Sequence, residues 1–177
     1  MKSKVQSLKS KVGELAIVAL GSNLGDSRQN ILWGMRRLAE LSDEPLLKSS
    51  LWQTTPVDCP PGSPAFVNAV VGLTPRAGET PESLLTKLQA LEKEFGRRPK
   101  KVLNEARLLD LDLIAFAGEV RHGDFLALPH PRAHERRFVL QPLAEIAPDL
   151  ILPGQRRTAA ELLEMLPAGE SMEKLSG

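Results

Sequence analysis

The sequence predicts an α+β fold of order β-α-β-β-α-β, with helices packed on a mostly antiparallel sheet. This is the split βαβ, or ferredoxin-like, arrangement. Three observations predict it. Four short apolar runs have strand composition, two longer segments repeat apolar residues at helical spacing, and the two kinds interleave in that order.

The elements follow in chain order. "LAIVAL" (15–20) ends in Gly21 and reads as a buried strand. "GSNLGDS" is a turn with a candidate N-cap at Asp26 or Ser27. Ile31, Leu32, Met35, Leu38 and Leu41 then recur at helical spacing. "LLKSSLWQTT" (46–55) has strand composition between Pro45 and Pro56, and "PVDCPPGSPA" is a proline-rich loop of a length that often carries function. "FVNAVVGL" (66–73) is the next strand. Thr80, Pro81 and Glu82 form a helix start: cap, proline at the first helical position, acid in the first turn. Leu84, Leu85, Leu88, Leu91 and Phe95 supply its apolar stripe, and Gly96 ends it. The basic loop "GRRPKK" leads to the strand "RLLDLDLIAF" (107–116), and "GEV" (118–120) turns into a short extra strand. "HPRAHERRFVLQPLAEI" reads as a helix broken or kinked near Pro142, and "TAAELLEML" as a last short helix. The helices are expected on one face of the sheet, leaving the other for loops and ligands. The division expected is a flexible extension over residues 1–13, a single domain over 14–167 and a loose tail over 168–177.

Bulk properties narrow the function. The length of 177 residues favours one domain, with 42% hydrophobic and 25% charged residues, ordinary for a soluble globular protein. A formal net charge of +1 argues against a chain that binds nucleic acid or anionic membrane through overall charge, so anion affinity must come from local clustering. The single cysteine, Cys59, excludes an internal disulfide and fits a reducing compartment. No stretch is long and apolar enough to span a bilayer. The start "MKSKVQSLKSKVGE" is basic but lacks the apolar segment of a secretory signal, so a frayed extension and a cytoplasmic monomer are expected.

The chemistry centres on Asp110 and Asp112. Side chains two apart on a strand share a face, about 7 Å apart. Leu109, Leu111, Leu113 and Ala115 should then form the core face. Neighbouring carboxylates raise each other's pKa unless a cation intervenes. Mg²⁺ suits them, because it takes hard oxygen ligands and keeps positions open for phosphate oxygens. The plain alternative is that each aspartate pairs with a nearby arginine. Arg97, Arg98, Lys100 and Lys101 lie in a loop a few residues upstream and Arg107 opens the strand, which favours a polyphosphate held by metal on one side and by forked arginine donors on the other. Phosphoryl transfer needs little beyond such positioning and charge neutralisation.

"PHPRAHERRF" adds His130, Arg132, His134, Arg136 and Arg137, which could reach phosphate or ribose. For Arg132 and Arg137 the solvated pairing with Glu135 and Glu145 is preferred. "GSNLG" matches neither established phosphate-loop pattern and needs no explanation beyond a βα turn. Asn68 interrupts an apolar strand, and a buried amide must find partners. It either bonds across the strands to backbone, or reads the donor and acceptor edge of a heterocycle with Phe66 stacking beside it. Cys59 is a small filler rather than a nucleophile.

In series, six stretches between about Ile17 and Pro153 resemble the 6-hydroxymethyl-7,8-dihydropterin pyrophosphokinases, enzymes of folate biosynthesis. They are "ALGSNLGDSRQNI", "SSLWQTTPV", "FVNAVVGL", "LEKEFGRR", "ARLLDLDLIAF" and "LPHPRAHERRFVLQPLAEIAPDL". The resemblance implies a ferredoxin-like fold and transfer of pyrophosphate from ATP to the pterin's hydroxymethyl oxygen, with release of AMP. It implies that Asp110 and Asp112 bind two Mg²⁺ ions and that Arg97 and Arg107 stabilise the transferred group. Gln89, Leu113, His130 and Arg136, with Arg107, would hold ATP. Thr54, Thr55, Pro56, Val57, Phe66, Asn68 and Phe138 would line the pterin pocket, and Glu92 would order the basic loop. The chain departs from the family pattern at Asn104, Glu105 and Ala106, where tryptophan-glycine-proline is usual, and at Pro99, Pro131 and Thr55.

Two other classes share this topology. A different two-metal nucleotidyl-transfer enzyme on the same topology would release pyrophosphate instead of AMP. An RNA-binding module would need exposed stacking aromatics on the central strands. The chain has no tyrosine and 4% aromatics, and its central strand carries acids.

Overall fold

The computed structural model describes residues 12–54, 61–62, 64–96, 107–169 and 171–176. Its sheet contains β1 (Ala16–Ser22), β2 (Leu47–Lys48), β3 (Trp52–Thr54), β4 (Phe66–Leu73), β5 (Asp110–Phe116) and a late strand, β8 (Met172–Lys174). The order is β5-β1-β4-β3-β8, with β2 also on β4, and every pairing is antiparallel. Two short strands, β6 (Arg121–His122) and β7 (Ala127–Leu128), form a separate hairpin. The helices among the described residues are α1 (Ser27–Leu41), α2 (Pro81–Glu94), α3 (Arg137–Ile146) and α4 (Ala159–Met165). The fold is therefore the expected ferredoxin-like α+β arrangement, with β1, α1, β2/β3, β4, α2 and β5 in its order.

Local signals set the helix ends. Asp26 caps α1, accepting from the Gln29 amide at 3.2 Å. Thr80 and Ser83 bond reciprocally at the start of α2, with Pro81 in the first turn. Ile31, Met35 and Leu38 of α1 pack with Leu84, Leu88 and Leu91 of α2 against Val18, Leu20 and Leu111. That cluster is the main core.

The other face is not left wholly to loops. Val139, Leu140 and Leu143 of α3, with Ala159 and Leu162 of α4, cover Ile17, Val70 and Ile114. The correction follows from β1, whose alternate residues are apolar on both faces, so both need cover. Only the end of this face beyond Val70 stays clear of that second core.

Several expectations shift in detail. The run over 46–55 is two strands, because the Ser49 hydroxyl accepts the Val70 amide at 2.9 Å and one extra residue follows before Trp52 pairs with Asn68. The predicted helix over "HPRAHERRFVLQPLAEI" breaks at Arg136, between a 3₁₀ turn (Ala133–Glu135) and α3, and not at Pro142. Pro142 is buried within α3. The C-terminal tail is not loose over its described residues: Met172–Lys174 pairs with β3, the Leu175 amide donates to Leu51, and Arg28 donates to the Ser176 carbonyl at 2.9 Å. The edge of β3 had backbone groups to satisfy, and this segment satisfies them.

Candidate active site

β5 brings the paired acids to one face, as its alternation predicts. Asp110 and Asp112 are half-buried, while Leu109, Leu111 and Leu113 lie in the main core behind them. Ala115 does not follow the leucines. The register shifts between Ile17 and Val18, so Ile114 is an extra residue on β5, and Ile114 and Ala115 both face the second core. The bulge has a use: the Ile114 carbonyl accepts from the His130 amide at 2.8 Å and fixes that residue beside β5.

Arg107, just before the strand, reaches Asp110 at 2.9 Å. The expected arginine partner of one aspartate is thus present. The Arg107 backbone is itself held, because its amide donates to Asn23 Oδ1 at 2.7 Å and its carbonyl accepts from the Asn23 amide at 3.0 Å. Asn23 Nδ2 also donates to the Pro64 carbonyl at 3.4 Å. Asn23 is 1% exposed. The turn before α1 is further locked by Asn30, which donates to Ser22 Oγ and to the Leu24 carbonyl. In the sequence Asn23 is simply part of a βα turn. Its long-range work ties the ends of two loops and is a site feature that pattern reading missed.

His130 and Arg136 approach the acids from the segment before α3. Burial pushes the His130 imidazole below its ordinary value of 6.5; the Arg136 and Arg132 cations push the same way, and Asp110 opposes them. Its Nδ1 accepts from the Arg132 amide at 3.2 Å, so the neutral ring carries its proton on Nε2. Burial and Arg132 likewise lower Arg136, against the pull of Asp112, Glu135 and Asp110. The Arg136 guanidinium lies 5.4 Å from the Phe138 ring. Arg132 instead pairs with Glu135 at 2.9 Å, as expected. Arg137 does not pair with an acid in the way expected; it donates to the Leu166 and Pro167 carbonyls at the end of α4.

Across the sheet, Asn68 is 6% exposed and donates to Thr54 Oγ1 at 2.7 Å. The cross-strand bond therefore runs to a side chain and not to backbone. Asn68 lies opposite Gly21, which lies opposite Asp110, so one transverse row links the amide to the acids. Phe66 sits opposite Thr54 at the same end. Phe138 is half-buried on α3 and packs against the second core. Two positions fall apart from this group. Gln89 is exposed on α2, and Leu113 commits its side chain to the core. Glu92, one turn from Gln89 and 4% exposed, accepts the outward amide of Leu111 at 3.1 Å. Arg97, Thr55, Pro56 and Val57 lie outside the described residues, as do Arg98, Pro99, Lys100, Lys101, Cys59 and Asn104.

α3 is fastened to the sheet by Glu145. Its carboxylate accepts from the Ser50 hydroxyl at 2.8 Å and from the Trp52 indole at 2.5 Å, with Lys174 at 3.8 Å. In a Trp33→Phe background, Glu145→Ala should red-shift Trp52 emission and lower stability by about 1.5 kcal/mol, since charge-assisted bonds are lost. An unchanged emission spectrum would mean that this latch does not hold in solution.

Residues 17–148 match the family model 7,8-dihydro-6-hydroxymethylpterin-pyrophosphokinase (HPPK). The chain belongs to the HPPK family. It is 38% identical over 161 residues to the 2-amino-4-hydroxy-6-hydroxymethyldihydropteridine pyrophosphokinase of Pseudomonas aeruginosa, covering 90% of this chain and 96% of that one. The enzyme of that name from Haemophilus influenzae is 36% identical over 142 residues, covering 80% and 86%. The folic acid synthesis protein fol1 of Pneumocystis carinii is 35% identical over 154 residues, and there this HPPK-family chain spans only 20% of the relative's length. Among solved structures, an HPPK-DHPS in complex with substrates superposes with a TM-score of 0.65 at 12% identity, over 85% of this chain and 44% of that one. At that identity the likeness concerns the fold.

Proposed function

We propose that this HPPK-family chain transfers the terminal pyrophosphoryl group of ATP to the hydroxymethyl oxygen of 6-hydroxymethyl-7,8-dihydropterin, yielding AMP and the pterin diphosphate for folate biosynthesis. One observation carries the reading: paired carboxylates and a buried amide occupy one transverse row of the sheet, on either side of Gly21. The pterin oxygen forms a bond to the β-phosphorus while the bond from that phosphorus to the oxygen shared with the α-phosphate breaks. AMP departs with the shared oxygen, and the hydroxyl proton passes to solvent.

Asp110 and Asp112 fit Mg²⁺. No group of three or more acidic, histidine or cysteine ligands occurs among the described residues, and Mg²⁺ is ordinarily held by one or two carboxylates with water and phosphate oxygens completing its shell. When bound there, two such ions would neutralise the phosphates and polarise the β-phosphorus. Arg107 and, by its place in the family motif, Arg97 add positive charge where it develops. His130 and Arg136 hold the nucleotide, with Gln89 and the Leu113 backbone at its edge. Asn68, kept in orientation by Thr54, reads the pterin's polar edge between Phe66 and Phe138. By motif, Thr55, Pro56 and Val57 complete that pocket. The same reading makes the chain a cytoplasmic monomer with no nucleic-acid or membrane partner. The net charge is +1, and no described helix is long and apolar enough to cross a membrane.

The test is to incubate the protein with ATP, Mg²⁺ and the reduced pterin and to separate the nucleotides. Pterin-dependent AMP is expected; ADP would mean single-phosphate transfer, a different enzyme. The histidine supplies a second check. Its folded pKa lies below the unfolded value, so its stability contribution is full above pH 6.5 and is lost as pH falls through the folded value. A polyphosphate beside Arg136 and Arg132 offsets the cations that depress it. The His130 pKa, followed by NMR, should rise when MgATP is added. A constant value would remove His130 from the nucleotide site.

A further inference from the structure

We infer that Gly21 is the floor on which transfer takes place, and that its missing side chain makes room for the acceptor oxygen to meet the β-phosphorus. The inference rests on the reading above and adds a positioning residue to it.

Gly21 is the middle of the row Asp110–Gly21–Asn68, each neighbour lying directly opposite it in an antiparallel pair. Adjacent strands in such pairs place Cα atoms about 5 Å apart, so the carboxylate strand and the amide strand are separated by about 10 Å. A pterin held on Asn68 and phosphates gathered at Asp110 must converge over the residue between them. Any side chain at that residue would stand in the gap. A Cβ built on Gly21 lies 3.2 Å from Asn68 Oδ1 and 3.8 Å from Phe66 Cδ1, so it also points at the pterin-reading groups. Asn68 has little room to retreat, being 6% exposed and bonded to Thr54.

The backbone gives glycine no reason to be here. Gly21 is not among the glycines with positive φ, and it sits inside a regular strand where glycine weakens the structure relative to alanine. Its neighbour on the same face, Ala19, lies under the second core and tolerates a methyl group. A glycine at position 21 thus sacrifices some local stability at the one place where the two substrates meet.

The experiment compares wild type with Gly21→Ala in thermal unfolding, MgATP affinity and pterin-dependent AMP formation. Expected are an unfolding temperature near that of wild type, the gain in backbone order being set against the tight contact with Asn68, MgATP affinity within about twofold, and turnover lower by a factor on the order of 100, the scale of an ångström-sized misplacement. If the methyl group prevents folding through its 3.2 Å contact, adding Asn68→Ala removes that contact. The double variant should then turn over at least about tenfold more slowly than Asn68→Ala alone. Wild type without pterin-dependent AMP overturns the proposed function and the floor with it. An active wild type whose Gly21→Ala variant keeps more than a third of its turnover overturns the floor alone, as does a double variant equal to Asn68→Ala.

Discussion

Asp110→Ala and Asp112→Ala should each lower pterin-dependent AMP formation by a factor on the order of 10³ or more while the protein stays folded. The two acids share a face, and in the proposed function they provide the hard oxygen ligands for Mg²⁺. Their effects on stability should differ. Asp110 pairs with Arg107, both about one-fifth exposed, so its loss leaves a partly buried guanidinium without that partner and costs about 1 kcal/mol. Asp112 acts on Arg136 through the field, and its loss should push the Arg136 guanidinium further down. Steady-state AMP assays with thermal unfolding check both parts. Either variant with more than a tenth of wild-type turnover would remove that residue from the metal site.

Asn23→Ala is expected to cost stability and turnover together. It strips the Arg107 amide and the Pro64 carbonyl of their partner in a place 1% exposed to solvent. An unsatisfied buried group costs about 1–3 kcal/mol, so a loss near 2 kcal/mol is reasonable. In a chain of this size that lowers the unfolding temperature by about 4–8 °C. Arg107 would then hold Asp110 from a looser backbone, and turnover should fall by about tenfold or more. Asn23→Asp keeps the acceptor for the Arg107 amide and should recover most of the turnover, while losing the donor to Pro64. Equal loss in both variants would show that the Arg107 contact is not what matters.

Legibility followed the range of the physics. Thr80, Pro81 and Gly96 mark α2 because caps act within one turn. Asp110 and Asp112 mark the site because period-two alternation fixes a shared face without knowledge of the rest of the chain. The bulge at Ile114 left no trace, since one apolar residue more in an apolar run breaks no pattern. The division of 46–55 turned on whether the Ser49 hydroxyl meets the Val70 amide, a contact set by the neighbouring strand. Residues 172–174 are short and polar, and only the open edge of β3 makes them a strand. Asn23 and Gly21 carry no sequence signal, for a shared reason. Each is an ordinary turn or strand-end residue until the sheet order places Arg107, Asp110 and Asn68 around it.

The most direct measurement follows label from ATP. With ATP carrying phosphorus label at the β and γ positions, both labels should appear in the pterin product, in equal amounts, and the AMP should carry none. That result requires attack at the β-phosphorus, with the bond from that phosphorus to the oxygen shared with the α-phosphate broken. Label from the γ position alone on the pterin, or an α-labelled nucleotide joined to it with pyrophosphate released, would contradict the account.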